Sequence, residues 1–196
     1  MILLLATTNP DKLSEIVSGL GDLPIEFKTL KEFPGIATPE ETGSTFAENA
    51  REKALHYANT TGLLTMAEDS GFEVDALDGA PGIYSARYLR PDATYPERFA
   101  VLYEQLAARG SPTRTARFVS ALALAAGGNI VFETAGVVEG EIAAEPAGGG
   151  GFGYDPIFCY LPYGKTFGEV GAEQKLAVSH RGHALRAMWT HLKRQL

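Results

Sequence analysis

Ile2-Leu3-Leu4-Leu5-Ala6-Thr7-Thr8-Asn9-Pro10-Asp11-Lys12, running on to Leu20-Gly21, decides the fold class. Residues 2–7 form an apolar run, the pattern of a strand covered on both faces. Asn9 stands where a helix N-cap is needed, and Pro10 takes the first helical position, where its missing N–H costs nothing. Leu13, Ile16, Val17 and Leu20 then recur at spacings of three and four, and Gly21 stops the helix. Strand, tight polar turn and helix make an α/β opening.

The following segments alternate. Residues 25–30 read as a second strand and 33–43 as a loop rich in proline, glycine and threonine. Thr45 with Glu48 three residues on is a capping box. The helix behind it places Phe46, Ala50, Ala54, Tyr57 and Ala58 on one face. Asn49 and Lys53 lie one turn apart on another face and could reach one ligand together; the plain alternative is a solvated surface lysine. Residues 63–67 and 72–75 read as two strands flanking a loop with Asp69 at its centre. Residues 94–109 make a helix. Phe118, Ser120, Leu122 and Leu124 alternate with Val119, Ala121 and Ala123, Gly127-Gly128-Asn129 turns the chain, and 130–138 returns as a β-hairpin. Asp155 to Tyr160 is another strand, and a last helix runs from 180 to 194 behind the cap Ser179. The whole, residues 1–196, reads as a single α/β domain on a mixed β-sheet flanked by helices.

Composition narrows the partners. At 196 residues and 45% hydrophobic, the chain buries a full core without disulfides or metals. A net charge of −7 argues against a surface that coats nucleic acid. The single Cys159, inside the apolar run Ile157 to Tyr160, suits a reducing compartment and a packed thiol rather than a nucleophile. The short apolar start lacks a basic flank, and no segment approaches the about 20 apolar residues that span a bilayer, so a cytoplasmic protein without membrane contact is expected.

Five clusters call for an anionic ligand. Ala67-Glu68-Asp69-Ser70-Gly71 ends an apolar run with a carboxylate pair, the usual place for a divalent metal or a general base. Glu40-Glu41-Thr42-Gly43 adds two more acids. Thr7, Thr8, Asn9, Pro10, Asp11 and Lys12 form a helix N-terminus with extra donors and a full charge, suited to phosphate but without Walker spacing; an ordinary capped helix is the bland reading. Gly148 to Gly153 holds five glycines in six positions, and Phe152, Gly153, Tyr154 and Asp155 close it. A bare backbone beside flat rings suits a stacked base. Lys175, His180 and Arg181 are cations just before and at the start of the last helix, where the dipole opposes them unless an anion is bound. Zinc spacing and a nucleophile elbow are both lacking. Together these describe a pocket for a nucleoside triphosphate with magnesium.

The same residues resemble the inosine triphosphate pyrophosphatase family, which acts on noncanonical purine nucleotides. The resemblance rests on Ala6 to Lys12, Glu40 to Gly43 with Thr45 to Ala50, Glu68 to Gly71, Gly79 to Tyr88, Gly150 to Phe158 and Ser179 to Gly182, nearly end to end. Two departures are visible: Glu68 where many members carry Asp, and a fourth glycine before Gly150 where Thr or Ser is usual.

The resemblance implies hydrolysis of ITP, dITP and XTP to the monophosphate and pyrophosphate, which cleanses the nucleotide pool and keeps these bases out of DNA and RNA. It implies Mg²⁺, a homodimer, and an elongated mixed sheet in two lobes with a central active-site cleft. Thr7 to Lys12 would hold phosphates. Asp69 would be the catalytic base or metal-bound carboxylate, and Glu40 the second metal ligand, with Glu41 its close competitor. Ser70, Phe152, Gly153, Tyr154, Asp155, Lys175, His180 and Arg181 would bind substrate. The segment Ile83 to Tyr88 and the 115–138 hairpin are candidate dimer surfaces. Discrimination would rest on the purine 6-position, where a donor aimed at the oxo group leaves ATP mismatched by a factor of ~10⁴. The rival readings are a pyrophosphatase for modified pyrimidine nucleotides and a sensor that binds a triphosphate without cleaving it.

Overall fold

The computed structural model describes residues 1–110 and 113–196. Its elements in chain order are β1 (Ile2–Leu5), α1 (Pro10–Leu20), β2 (Glu26–Thr29), α2 (Phe46–Thr61), β3 (Thr65–Val74), α3 (Tyr95–Ala108), β4 (Thr115–Ala126), β5 (Asn129–Ile142), β6 (Phe158–Tyr160), β7 (Lys165–Thr166), α4 (Ala172–Val178) and α5 (His180–Lys193). The sheet order is β2-β1-β3-β4-β5-β6-β7. β1 pairs in parallel with β2 and β3, whereas β6 pairs antiparallel with β5 and β7, so the sheet is mixed.

The described residues divide into two compact units. One holds Met1–Ser70, Ser120–Gly136 and Ser179–Leu196; the other holds Gly71–Val119 and Val137–Val178. β3, β4 and β5 give residues to both.

In the first unit the opening strand is covered as its sequence requires: Leu3, Leu4 and Leu5 are fully buried. The Asn9 side chain accepts the Asp11 and Lys12 N–H groups at 2.9 and 3.2 Å, which starts α1. Ile16 and Leu20 face inward. Gly19 lets α1 come close to α5, because a Cβ there would lie 2.8 Å from Leu185 Cδ1. Thr45 caps α2 with the reciprocal Glu48 bond.

The second unit has a core built on aromatic rings: Phe72, Phe99, Phe118, Phe158 and Phe167 with Leu102 and Leu106 of α3. Its edge-to-face and tilted ring contacts, at centroid separations of 4.9–6.1 Å, are the favourable arrangements for such rings.

Two local expectations change. Residues 63–75 are not two strands around a loop: β3 runs unbroken from Thr65 to Val74, and Asp69 lies inside it. Gly71 continues the strand. Lys175 lies before the last helix, as expected, on a separate short helix, α4. Asp155 to Ile157 is a 3₁₀ turn that precedes β6 rather than its first residues. No helix among the described residues is long and apolar enough to cross a membrane.

Candidate functional site

The first unit gathers the acids and cations of the amino-terminal half around β3. Asp69 and Glu68 are neighbours on this strand, so their side chains leave opposite faces, and each has a different set of partners.

Asp69 is clamped at both oxygens by α2. Lys53 Nζ stands 3.0 Å from Oδ1, and Asn49 Nδ2 donates to Oδ2 at 3.0 Å. Lys53 also reaches Glu41 Oε1 at 2.9 Å, so one ammonium spans two carboxylates. Burial would pull the Lys53 pKa down, but the charges of Asp69 and Glu41 outweigh it and hold the group above its ordinary value. Glu40 is exposed, whereas Glu41 is half-buried. The structure therefore brings Glu41, not Glu40, into Asp69's company.

Glu68 lies on the other side, wholly buried. It accepts Arg181 Nε at 2.9 and 3.0 Å and Ser120 Oγ at 2.8 Å. Arg181 also donates to Ser70 Oγ at 3.2 Å and is ion-paired to Glu15. Burial alone would raise the Glu68 carboxyl, but Arg181 and Lys12 drive it far below the carboxylate range. Gly136 of β5 lets the first turn of α5 approach, since a Cβ there would lie 2.1 Å from the His180 carbonyl oxygen. His180 and Arg181 are both buried. The anion that the cations at the start of α5 demand is thus supplied to Arg181 by the protein, as Glu68 and Glu15.

Thr7, Asn9 and Lys12 are half-buried around the α1 N-terminus, with Thr8, Pro10 and Asp11 exposed. Thr7 Oγ1 accepts the Asn9 N–H at 3.2 Å, which orders the turn. Lys12 has a lowered pKa: desolvation pulls it down and Glu68 only partly offsets that, with Arg181 and Lys53 adding repulsion. An ammonium so placed gains from an added anion. Thr7, Thr8 and Pro10 also wall a cavity of about 400 Å³ whose remaining lining, Leu13, Phe33, Ile36 and Tyr57 among it, is mostly apolar.

The second unit holds the glycine-rich loop. Asp155 is 1% exposed. Its Oδ2 accepts the Phe152 N–H at 2.7 Å and Lys175 Nζ at 2.5 Å. Lys175 Nζ also sits 4.3 Å from the centroid of the half-buried Phe152 ring. Tyr154 is not a surface ring: it is 3% exposed, stacks on Phe72 at 5.0 Å and donates its hydroxyl to the Ser85 carbonyl. Its place is the core, and the base-stacking expectation for it is corrected. Cys159 is half-buried, and burial raises its thiol pKa, which disfavours the reactive thiolate.

Among the described residues no group of three or more His, Cys, Asp or Glu side chains forms a metal-ligand cluster. Magnesium does not need one. It takes one or two carboxylates and completes its shell with water and phosphate oxygens. Glu41 and Asp69 are hard oxygen donors that already converge on one cation, the Lys53 ammonium, so the donor set fits Mg²⁺. Two of these groups, Asn49 and Lys53, fall outside the substrate and metal set expected from sequence, whereas Glu41 stood in it as the competitor of Glu40. The one-turn spacing of Asn49 and Lys53 was the available signal, and their shared target proves to be Asp69.

These features define a mixed-sheet α/β protein with a carboxylate–lysine–carboxylate centre beside a capped helix N-terminus. Residues 3–191 match the Ham1 family, and the chain belongs to it. It is 45% identical over 188 residues to a dITP/XTP pyrophosphatase of Exiguobacterium sp., covering 96% of this chain and 95% of the relative. It is 47% identical to one of Thermus thermophilus, covering 96% and 90%. Its fold is similar to that of a HAM1 protein from Coxiella burnetii (TM-score 0.93, 43% identity, 99% of both chains). It is also similar to the Staphylococcus aureus Ham1 protein (TM-score 0.89, 34% identity, 100% of both).

Proposed function

We propose that this protein hydrolyses noncanonical purine nucleoside triphosphates, ITP, dITP and XTP, to the monophosphate and pyrophosphate, and that residues 1–196 work as one ITPase-like domain. The observation that carries the reading is Asp69, held at both oxygens beside Glu41 and Lys53, in a chain whose relatives are named dITP/XTP pyrophosphatases.

Lys12, with Thr7, Thr8 and Asn9, binds the triphosphate; the depressed Lys12 pKa is relieved by that charge. Asp69 takes the proton of the attacking water, and with Glu41 it would hold the metal. Glu41 would be the second metal ligand in preference to Glu40, because Glu41 is the acid paired to Lys53. When bound, Mg²⁺ neutralises charge building on the phosphate oxygens. Phe152, Gly153, Asp155 and Lys175 read the base. Arg181 acts through Ser70 and Glu68, and His180 stands beside it on α5. The resemblance and the single cysteine support a homodimeric, cytoplasmic enzyme.

The test is pyrophosphate release from ITP, XTP, dITP, GTP, ATP and dTTP with and without Mg²⁺. Fast Mg²⁺-dependent release from the first three, lost in Asp69→Asn with substrate binding retained, is expected. Tight ITP binding without release would make the protein a sensor, and a preference for dTTP would make it a pyrimidine enzyme.

A further inference from the structure

Asn49 is completely buried on the first turn of α2, and its carboxamide is occupied at both ends. Nδ2 donates to Asp69 Oδ2 at 3.0 Å, and Oδ1 accepts the Gly43 N–H at 2.9 Å. The amide can lie only this way round: a carboxylate only accepts and a backbone N–H only donates. Lys53, four residues further along the helix, takes the other Asp69 oxygen. Asp69 is thereby fixed against rotation by two donors from one rigid face.

The other end of the amide holds the segment that carries Glu41. Gly43 lies flat on the helix. A Cβ there would come within 2.7 Å of Asn49 Oδ1 and of Glu48 Cβ, so this approach needs glycine. Thr42 is held by Glu52 and Ser44 by Glu48 on either side. These flanking contacts are exposed; Asn49, beside Lys53, is a buried link between the loop and the acid on β3.

We infer that Asn49 is a positioning residue: it sets the Asp69 carboxylate and, through Gly43, the place of Glu41, without itself touching substrate. The inference rests on the proposed role of Asp69. Displacing a reacting group by about 1 Å costs ~10²-fold in rate, and a carboxylate held at one oxygen only is free to make such a move.

Asn49→Asp keeps the shape and the acceptor for Gly43 but turns the donor towards Asp69 into a repelling oxygen. Asn49→Leu keeps the shape and loses both bonds. With ITP and Mg²⁺, and rates corrected for the folded fraction, kcat is expected to fall about 10–100-fold in Asn49→Asp. KM should stay within about twofold, and Asn49→Leu should lose at least as much kcat. If Asn49→Asp does not fold, Asn49→Ser carries the same comparison. Unchanged kcat in the folded variants overturns the inference, and so does a rise in KM alone, which would put Asn49 on the substrate. A second readout needs no activity: the Tm shifts of Asn49→Leu and Asp69→Ala should fail to add in the double variant. Additive shifts overturn the clamp. Non-additive shifts in a protein whose parent releases no pyrophosphate leave the clamp standing and bring down the functional reading instead.

Discussion

Arg181 donates Nε to both oxygens of Glu68, at 2.9 and 3.0 Å, with each side chain 1% exposed. Removing one partner of such a pair leaves a buried charge without its main counterion. Glu68→Gln is therefore expected to cost about 3–5 kcal/mol, read by denaturant unfolding near pH 7. The pH dependence follows from the depressed Glu68 carboxyl. Its contribution is fully present above the ordinary carboxylate value and is lost as pH falls below it, where the unfolded chain takes up the proton first. The parent should lose stability steeply in acid, and Glu68→Gln should show a flatter acid limb. Parallel acid limbs would mean that Glu68 does not carry this dependence.

Lys53 stands between Glu41 and Asp69, the two acids proposed to hold the metal. Replacing it with Met removes a competing cation and leaves two carboxylates facing each other. The half-saturating Mg²⁺ concentration should fall, while kcat should drop by roughly 10²-fold because a charge near the phosphates and one restraint on Asp69 are both lost. Mg²⁺ titration of pyrophosphate release separates the two effects. A higher Mg²⁺ requirement would show that Lys53 helps the metal rather than competing with it.

Gly151 has φ +67°, and a Cβ there would lie 2.1 Å from Asp155 Oδ2. Gly149, two residues earlier, has nothing within 4 Å of its Cβ position. Gly151→Ala must push away the carboxylate that holds Phe152 and Lys175 and must also bear left-handed strain of about 1–3 kcal/mol. Its KM for ITP should rise about tenfold or more, with Gly149→Ala close to the parent. Equal KM values for the two variants would detach the Asp155 loop from substrate binding.

Short-range signals carried well from sequence to structure. Asn9-Pro10 and the Thr45–Glu48 box act within one helical turn, and both caps form at those residues. The Gly127-Gly128 turn and the alternation around it yield β4 and β5. What was not legible depends on pairing across distance. Arg181 and Glu68 are 113 residues apart, so the cations at the start of α5 looked as if they awaited a ligand when their anion was internal. Asp69 looked like a loop residue because Glu, Asp, Ser and Gly are poor strand formers. The sheet overrides that preference, and β3 passes straight through them. Glu40 and Glu41 are indistinguishable by type; only the position of Lys53 on α2 separates them. Tyr154 followed a glycine run and looked like a ligand platform, yet Phe72 and Ser85, distant in sequence, claim both its ring and its hydroxyl.

Tyr154 also gives the fold an alkaline limit. Burial pushes its phenol well above the ordinary value of about 10, so the folded state accepts the neutral ring and resists the phenolate. The stability this represents is complete below pH about 10. It is lost as pH rises further, because the unfolded chain ionises there first. Tyr154→Phe keeps the stack on Phe72 and removes only the hydroxyl that donates to Ser85 at 2.9 Å. It should cost about 1 kcal/mol at neutral pH and make the alkaline loss shallower, followed by circular dichroism alongside tyrosinate absorbance. KM for ITP should stay within about twofold, as befits a core ring. A large rise in KM without a change in stability would return Tyr154 to the substrate, and would mean that the ring leaves the core when a nucleotide binds.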